Sequence, residues 1–164
     1  MADELTLEFE TEGFRRWTED LIRGMERRGA RRALKAVAFE FLKRVIAKNP
    51  VDTGRSRAGW MSYLLANGRQ AIAVADPVAI AEGIAASSFQ ERFSGSEQFI
   101  ILLNAVEYIV ILEFGHSDQA PAGMMRLTFR ELQAGETMTK ALRDELVREI
   151  IATNQKHPAE PVPA

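Results

Sequence analysis

The clearest periodic pattern in the chain is a run of apolar residues between Ala30 and Lys48. The apolar positions recur every three or four residues: Ala30, Ala33, Leu34, Val37, Ala38, Phe41, Leu42, Val45 and Ile46. This spacing places them on one face and predicts a long amphipathic helix. Asn49-Pro50 ends the helix, because a residue before proline avoids helical backbone.

A second helical pattern precedes this one and opens at Thr11 and Glu12. Its apolar face consists of Phe14, Trp17, Leu21, Ile22 and Met25. Glycine weakens a helix by about 1 kcal/mol relative to alanine, so we predict a kink or break near Gly29. Before Thr11, the alternation of Leu5, Leu7 and Phe9 with polar residues predicts a short strand.

The middle of the chain has the alternation and turn signals of strands. We predict a strand over residues 58–65, a hairpin turn at Asn67-Gly68 and a returning strand over residues 71–75. Asp76-Pro77 has the form of a helix N-cap, and the apolar spacing after it predicts a helix to about Arg92. A turn over residues 94–96 then leads into residues 99–103, a continuous apolar run that is typical of a buried strand.

Helices dominate the last third of the pattern. Tyr108, Ile111 and Leu112 share a helix face, and Gly115 is a typical left-handed helix stop. A polar loop leads to a helix from Met124, which Gly135-Glu136 interrupts before a final amphipathic helix over residues 138–151.

Together these elements predict an α+β fold, with long N-terminal helices packed on a small, mostly antiparallel sheet and with C-terminal helices. We predict one domain over residues 1–153. Residues 154–164, which are rich in proline, form a tail that is flexible or docked on a partner.

Composition narrows the class of protein. The 164 residues are 46% hydrophobic and 27% charged, as in ordinary globular domains, and no apolar run reaches membrane-spanning length. The acidic start lacks the features of a secretory signal. Cysteine is absent, which excludes disulfides and thiolate metal sites and suits a reducing compartment.

A basic patch surrounds the join of the first two helices: Arg23, Arg27, Arg28, Arg31, Arg32 and Lys35. Such a patch can meet an acidic protein partner or DNA phosphates, or it can simply be a solvated helix face. The net charge of −2 and the absence of interleaved aromatic residues favour the solvated face or the protein partner.

Catalytic signatures are missing from the sequence: it has no phosphate loop, dinucleotide fingerprint or serine elbow. Glu113, His116 and Asp118 lie close enough together to suggest a metal site. Three residues at one bend more often form turn hydrogen bonds, so we expect no metal, cofactor or catalytic set.

Two polar turns resemble those of a known family. Residues 50–57, Pro-Val-Asp-Thr-Gly-Arg-Ser-Arg, are similar to the P-V-D-T-G-x-x-R turn of the neck and tail-completion proteins of tailed bacteriophages. Asn104, Tyr108 and the stretch Leu-Glu-Phe-Gly at 112–115, followed by a proline-containing loop, are similar to that family's N…Y…(L/V)-E-(F/Y)-G pattern. The departure is an Ala-Pro-Ala-Gly-Met loop at 120–124, where many members have an Arg-Pro-Phe type.

The resemblance implies a structural virion protein and not an enzyme. Such a protein assembles in the host cytoplasm as a homo-oligomeric ring at the head–tail junction and binds other neck and tail proteins. Double-stranded DNA passes through the ring without sequence recognition, and no membrane is involved. Closed rings join unlike patches, and we expect the interface to include residues of both turns and the following helix: Asp52, Arg55, Arg57, Glu113, His116, Gln119 and Arg126. Replacing Glu113 or Arg55 is expected to lower ring assembly without unfolding the subunit.

Two alternatives remain open from the sequence. The first is a nucleic-acid-binding module that uses the Arg23–Lys35 basic face, for which DNA affinity would fall steeply with salt. The second is a small enzyme built on Glu113 and His116, which would require these two side chains to lie together in a protected site.

Overall fold

The computed structural model describes residues 11–69, 76–94 and 97–158. Its longest feature is a helical rod of three segments: α1 (Thr11–Gly24), a π-helical segment (Met25–Gly29) and α2 (Ala30–Lys48). Gly24, Gly29 and Ala30 keep right-handed helical dihedrals, so the rod is unbroken. The two helices are confirmed, and the predicted irregularity near Gly29 is a π-helical turn, which widens the helix without ending it.

Four short helices and a hairpin follow the rod. The helices are α3 (Arg55–Ala58), α4 (Ser62–Ala66), α5 (Pro77–Ala85) and α6 (Ile109–Glu113). Strands β1 (Ser87–Ser94) and β2 (Glu97–Asn104) pair in antiparallel register between α5 and α6, with Phe89 opposite Leu102 and Glu91 opposite Ile100. The chain continues with α7 (Met125–Ala134) and α8 (Thr137–Lys156). This architecture confirms the predicted α+β class with a small antiparallel sheet and C-terminal helices.

Helix α8 lies antiparallel to the rod. Arg32 pairs with Glu145 at 2.6 Å, Arg28 pairs with Glu149 at 2.7 Å, and His157 Nε2 lies 3.0 Å from Asp20 Oδ2. His157 therefore docks on α1, although the sequence placed it in a loose tail. Because α8 ends near Asp20, the first turns of α1 extend beyond it, and Phe14 is 69% exposed there. Residues 159–164 of the predicted tail lie outside the described part of the chain.

The core forms where α2 meets the short helices and β2. Val45 and Ile46 of α2 are fully buried, together with Met61, Tyr63 and Met124. Each such side chain contributes roughly 1.5–3 kcal/mol through removal from water. Tyr63 packs edge-on against Phe89 of β1, and its hydroxyl donates to Glu91, so the core is tied to the hairpin.

The predicted strand over residues 58–65 is wrong, because this region forms α3 and α4. Met61, Tyr63 and Leu64 are all buried, a pattern that fits a helical turn and not the alternating faces of a strand. The predicted hairpin turn is also wrong: Asn67 caps α4, and Gly68 takes φ 67° just after it. The predicted strands over residues 5–9 and 71–75 lie outside the described residues.

The Asp76-Pro77 N-cap is confirmed, since the Asp76 carboxylate accepts hydrogen bonds from the backbone of Val78 and Ala79. The helix ends at Ala85 and not near Arg92, because residues 87–94 pair with β2. The predicted strand over residues 99–103 falls within β2, but it is not fully buried. Ile101 and Leu103 are about half exposed, since one face of the hairpin points away from the core. Among the described residues, no helix is both long and apolar enough to span a membrane.

Candidate interaction surface

The two polar turns, predicted as separate patches, meet in the structure. The Val51 backbone N–H donates to Gln119 Oε1 at 3.0 Å, which joins the first turn to the second. Beneath them, buried Asn104 donates through Nδ2 to the Ser56 carbonyl at 2.8 Å and accepts from the Val106 backbone. Residues of both sequence motifs therefore form a single hydrogen-bonded unit.

A cleft of about 330 Å³ lies between the two turns. It is lined by polar and apolar groups from both: Pro50, Val51, Asp52, Gly54, Ser56, Tyr108, Leu112, Ser117 and Gln119. A neighbouring cleft of about 390 Å³ contains Arg55, which pairs with Glu82 at 3.2 Å and with Glu107 at 3.1 Å. These are recesses on a rigid surface, of a size that suits inserted side chains from another protein.

Glu113 is an internal brace of this surface. Its carboxylate accepts from the backbone N–H groups of Met124, Met125 and Arg126 at 2.8–2.9 Å, which are free donors at the start of α7. Burial opposes ionisation of the carboxyl, but these backbone donors and the Arg126 side chain outweigh it and lower the pKa of Glu113. Arg126 also donates to the Glu113 carbonyl at 2.7 Å.

Two glycines allow the second turn to fold back on Glu113. Gly115 has φ 83° and Gly123 has φ 76°, in the left-handed region that favours glycine. A Cβ on Gly123 would collide with the Glu113 carbonyl, and one on Gly115 would collide with the Pro121 carbonyl. The Ala-Pro-Ala-Gly-Met loop therefore requires glycine at position 123 to approach Glu113 this closely.

Some of the predicted interface residues bond within the subunit, whereas others are exposed and can contact a partner. Arg57 donates to the Asn49 carbonyl at 2.9 Å, so it and Glu113 serve the fold of the subunit. Asp52 and His116 are exposed, and Arg126 and Gln119 are exposed but also bonded within the chain. Because Glu113 makes three backbone contacts, we expect its replacement to weaken the fold of the subunit as well as its assembly.

Sequence reasoning placed Phe114 in the second contact turn but missed two exposed apolar residues of α6, Val110 and Ile111. These two residues and Phe114, which directly follows α6, form what we call the α6 patch. Their exposed fractions are 59%, 53% and 62%, and the Arg126 guanidinium lies 4.9 Å from the centre of the Phe114 ring. The predicted helix face put Ile111 with the half-buried Tyr108 and Leu112, but Ile111 points outward. The available signal was a run of four consecutive apolar residues in one short helix, since some of them had to face outward.

The basic patch does not form one continuous surface. Arg28 and Arg32 bind Glu149 and Glu145 of α8, and the pKa of Glu149 is lowered chiefly by its hydrogen bond to Arg28. Arg31 and Lys35 turn toward the hairpin, where both lie over the Phe93 ring, and Lys35 also pairs with Glu91. Arg23 pairs with Glu19 and Asp20 on its own helix, and Arg27 is exposed.

Metal-binding geometry does not occur at the bend. Both oxygens of Glu113 accept hydrogen bonds, and His116 is exposed. Within residues 11–69, 76–94 and 97–158, no group of three His, Cys, Asp or Glu side chains is placed to hold a metal ion.

Comparison of the chain with protein-family models, curated proteins and solved structures finds no match.

Proposed function

We propose that this protein is a structural component of the head–tail junction of a tailed bacteriophage, of the neck or tail-completion type. It assembles in the host cytoplasm into a ring around the DNA channel, becomes part of the virion and joins the tail to the head. The observation that carries the proposal is the α6 patch beside two interlocked turns whose sequences resemble those of that family.

The chemistry of this surface supports protein contact. Val110, Ile111 and Phe114 are each more than half exposed and lie within five residues, two on α6 and one directly after it. Apolar side chains clustered in this way, with polar residues around them, are typical of protein interaction sites. The adjoining clefts provide recesses for a partner's side chains, and the exposed Asp52 and His116 provide a polar rim.

The internal ion pairs weigh against the nucleic-acid-binding alternative. Four of the six basic residues, Arg23, Arg28, Arg32 and Lys35, pair with carboxylates of the same chain. A DNA phosphate would have to compete with these carboxylates. DNA that passes through a ring without being gripped needs no such phosphate clamp, so the pairing fits the structural role.

The test compares two double variants of matched chemistry. Ile111→Ser with Phe114→Ser removes apolar area from the α6 patch, whereas Val147→Ser with Ile151→Ser removes it from an exposed stretch of α8. We expect the α6 variant to lose ring formation in analytical ultracentrifugation while its unfolding midpoint stays near that of the parent. Rings that form normally with both α6 residues replaced would overturn the assignment of this surface.

A further inference from the structure

An apolar groove lies beside α2, the segment of the rod that is farther from the N-terminus. It is bounded by Leu34 and Phe41 of α2, Trp60, and Leu102 of β2, with Phe129 and Met138 at its mouth. Phe129 is 53% exposed and Met138 is 45% exposed. The groove measures about 290 Å³. Since a cavity of about 150 Å³ binds one benzene molecule, it has room for about two large apolar side chains.

Two exposed arginines lie close in the sequence to residues that line the groove. Arg31 lies one helical turn before Leu34 on α2, and Arg130 follows Phe129 on α7. Arg31 lies over the Phe93 ring, and the ion pairs among the described residues include neither arginine. An occupant that carries apolar side chains between acidic ones would match the apolar lining of the groove and these two positive charges.

The first ten residues of this chain have that chemistry. Leu5, Leu7 and Phe9 alternate with polar residues, and residues 1–10 contain four carboxylates and no lysine or arginine. The segment leads into the part of α1 that projects past α8, beside the exposed Phe14.

Distance excludes the chain's own groove as the site for these side chains. From Thr11 to Leu34 the unbroken rod measures about 35 Å, at about 1.5 Å per residue. Phe9 and Leu5 precede Thr11 by two and six residues, so an extended chain carries them at most about 7 Å and about 20 Å from it. A second copy is needed to bring the segment and the groove together.

We propose that the acidic N-terminal segment of one copy, residues 1–10, docks on a second copy, with two of its three alternating apolar side chains, Leu5, Leu7 and Phe9, filling the groove. The contact joins unlike surfaces, so it can repeat from copy to copy and close a ring. It deepens the proposed function by naming a second subunit contact, but it requires only self-association and not a place in a virion.

The absence of cysteine from the chain permits a direct cross-linking test. One tagged copy carries Leu7→Cys, and a second copy with a different tag carries Met138→Cys. On mild oxidation we expect a disulfide between position 7 of one copy and position 138 of the other, seen as a product that carries both tags. In a single chain with both substitutions we expect linked dimers and longer ladders, because the two sites of one copy cannot meet.

The matched control is Lys140→Cys, which is exposed on α8 two residues from Met138 but lies outside the groove lining. Cross-linking of Leu7→Cys should fall to background with this partner. A bridge within one chain would overturn the proposal, as would equal cross-linking to positions 138 and 140.

A second variant tests the groove without cysteine. Met138→Glu places a carboxylate at the mouth and in the first turn of α8, where a negative charge suits the helix N-terminus. We expect self-association to weaken about tenfold or more, equivalent to about 1.4 kcal/mol, whereas Val147→Glu on the outer face of α8 leaves it unchanged. Unchanged association of Met138→Glu would refute the groove as the docking site. If the chains cross-link as expected but form no ring at a head–tail junction, the N-terminal contact is supported and the proposed function is contradicted.

Discussion

Replacing Glu113 with alanine should destabilise the second turn directly, whether or not a partner protein is bound. The substitution leaves three backbone N–H groups at the start of α7 without their acceptor. A hydrogen bond to a charged group contributes about 1.5–3 kcal/mol, and loss of a helix cap costs about 0.5–2 kcal/mol. Water reaches part of this turn, so we expect a loss of roughly 2–4 kcal/mol in the free energy of unfolding, which lowers Tm by roughly 4–16 °C in a domain of this size.

The measurement is urea unfolding at pH 7, with Glu107→Ala as the matched control. Glu107 also pairs with an arginine, Arg55, but its side chain is 72% exposed, so its loss should change stability by less than about 0.5 kcal/mol. Glu113→Gln should recover little, because its amide nitrogen would face backbone donors. A Glu113→Ala protein as stable as the Glu107→Ala protein would refute the role of Glu113 as a brace.

Three further predictions concern the rod, its contact with α8, and the start of α5. Gly24→Ala should destabilise the protein by about 1–3 kcal/mol in urea unfolding, because the new Cβ would collide with the Glu149 carboxylate; the exposed Gly13→Ala should instead stabilise it by up to about 1 kcal/mol. The pKa of Glu149 is lowered from 4.5 in the folded protein, so its stabilisation is present above that pH and lost as the pH falls through the lowered value. Glu149→Gln should therefore lose less stability than the parent on acidification from neutral pH, measured by urea midpoints across that range. Asp76→Ala should cost about 1 kcal/mol and expose the start of α5 to faster hydrogen exchange, since two backbone donors lose their acceptor.

Helix α2 could be predicted from the sequence because the residues on its apolar face are the ones that pack in the core. In α2 the apolar face read from sequence contains Phe41, Val45 and Ile46, which are buried in the structure. The pair Asp76-Pro77 was also sufficient to predict where α5 begins, because an N-cap acts through backbone donors two and three residues away.

The region from 58 to 68 could not be predicted in the same way. Its apolar residues are too close together for a period of two to be distinguished from one helical turn, and Asn-Gly serves both hairpins and helix ends. Tertiary contacts decide the outcome: Tyr63 packs between Phe39 and Phe89, which are far from it in the sequence.

The candidate surface was predicted in part. The sequence singled out both turns as contact sites. It could not show that Val51 donates to Gln119, or that Glu113 accepts from α7 residues more than ten positions away. It assigned contact to Glu113 and Arg57, whose side chains serve the fold, and it overlooked Val110 and Ile111. Exposure of a short apolar helix depends on what covers it, which local pattern does not specify.

Cryo-electron microscopy of the phage particle that carries this chain tests the central claim most directly. The account predicts a ring of this fold at the junction of head and tail, encircling the DNA channel, with Ile111 and Phe114 buried against a neighbouring protein. A junction whose complete density contains no copy of this fold, or a ring in which the α6 patch faces open solvent, would contradict it.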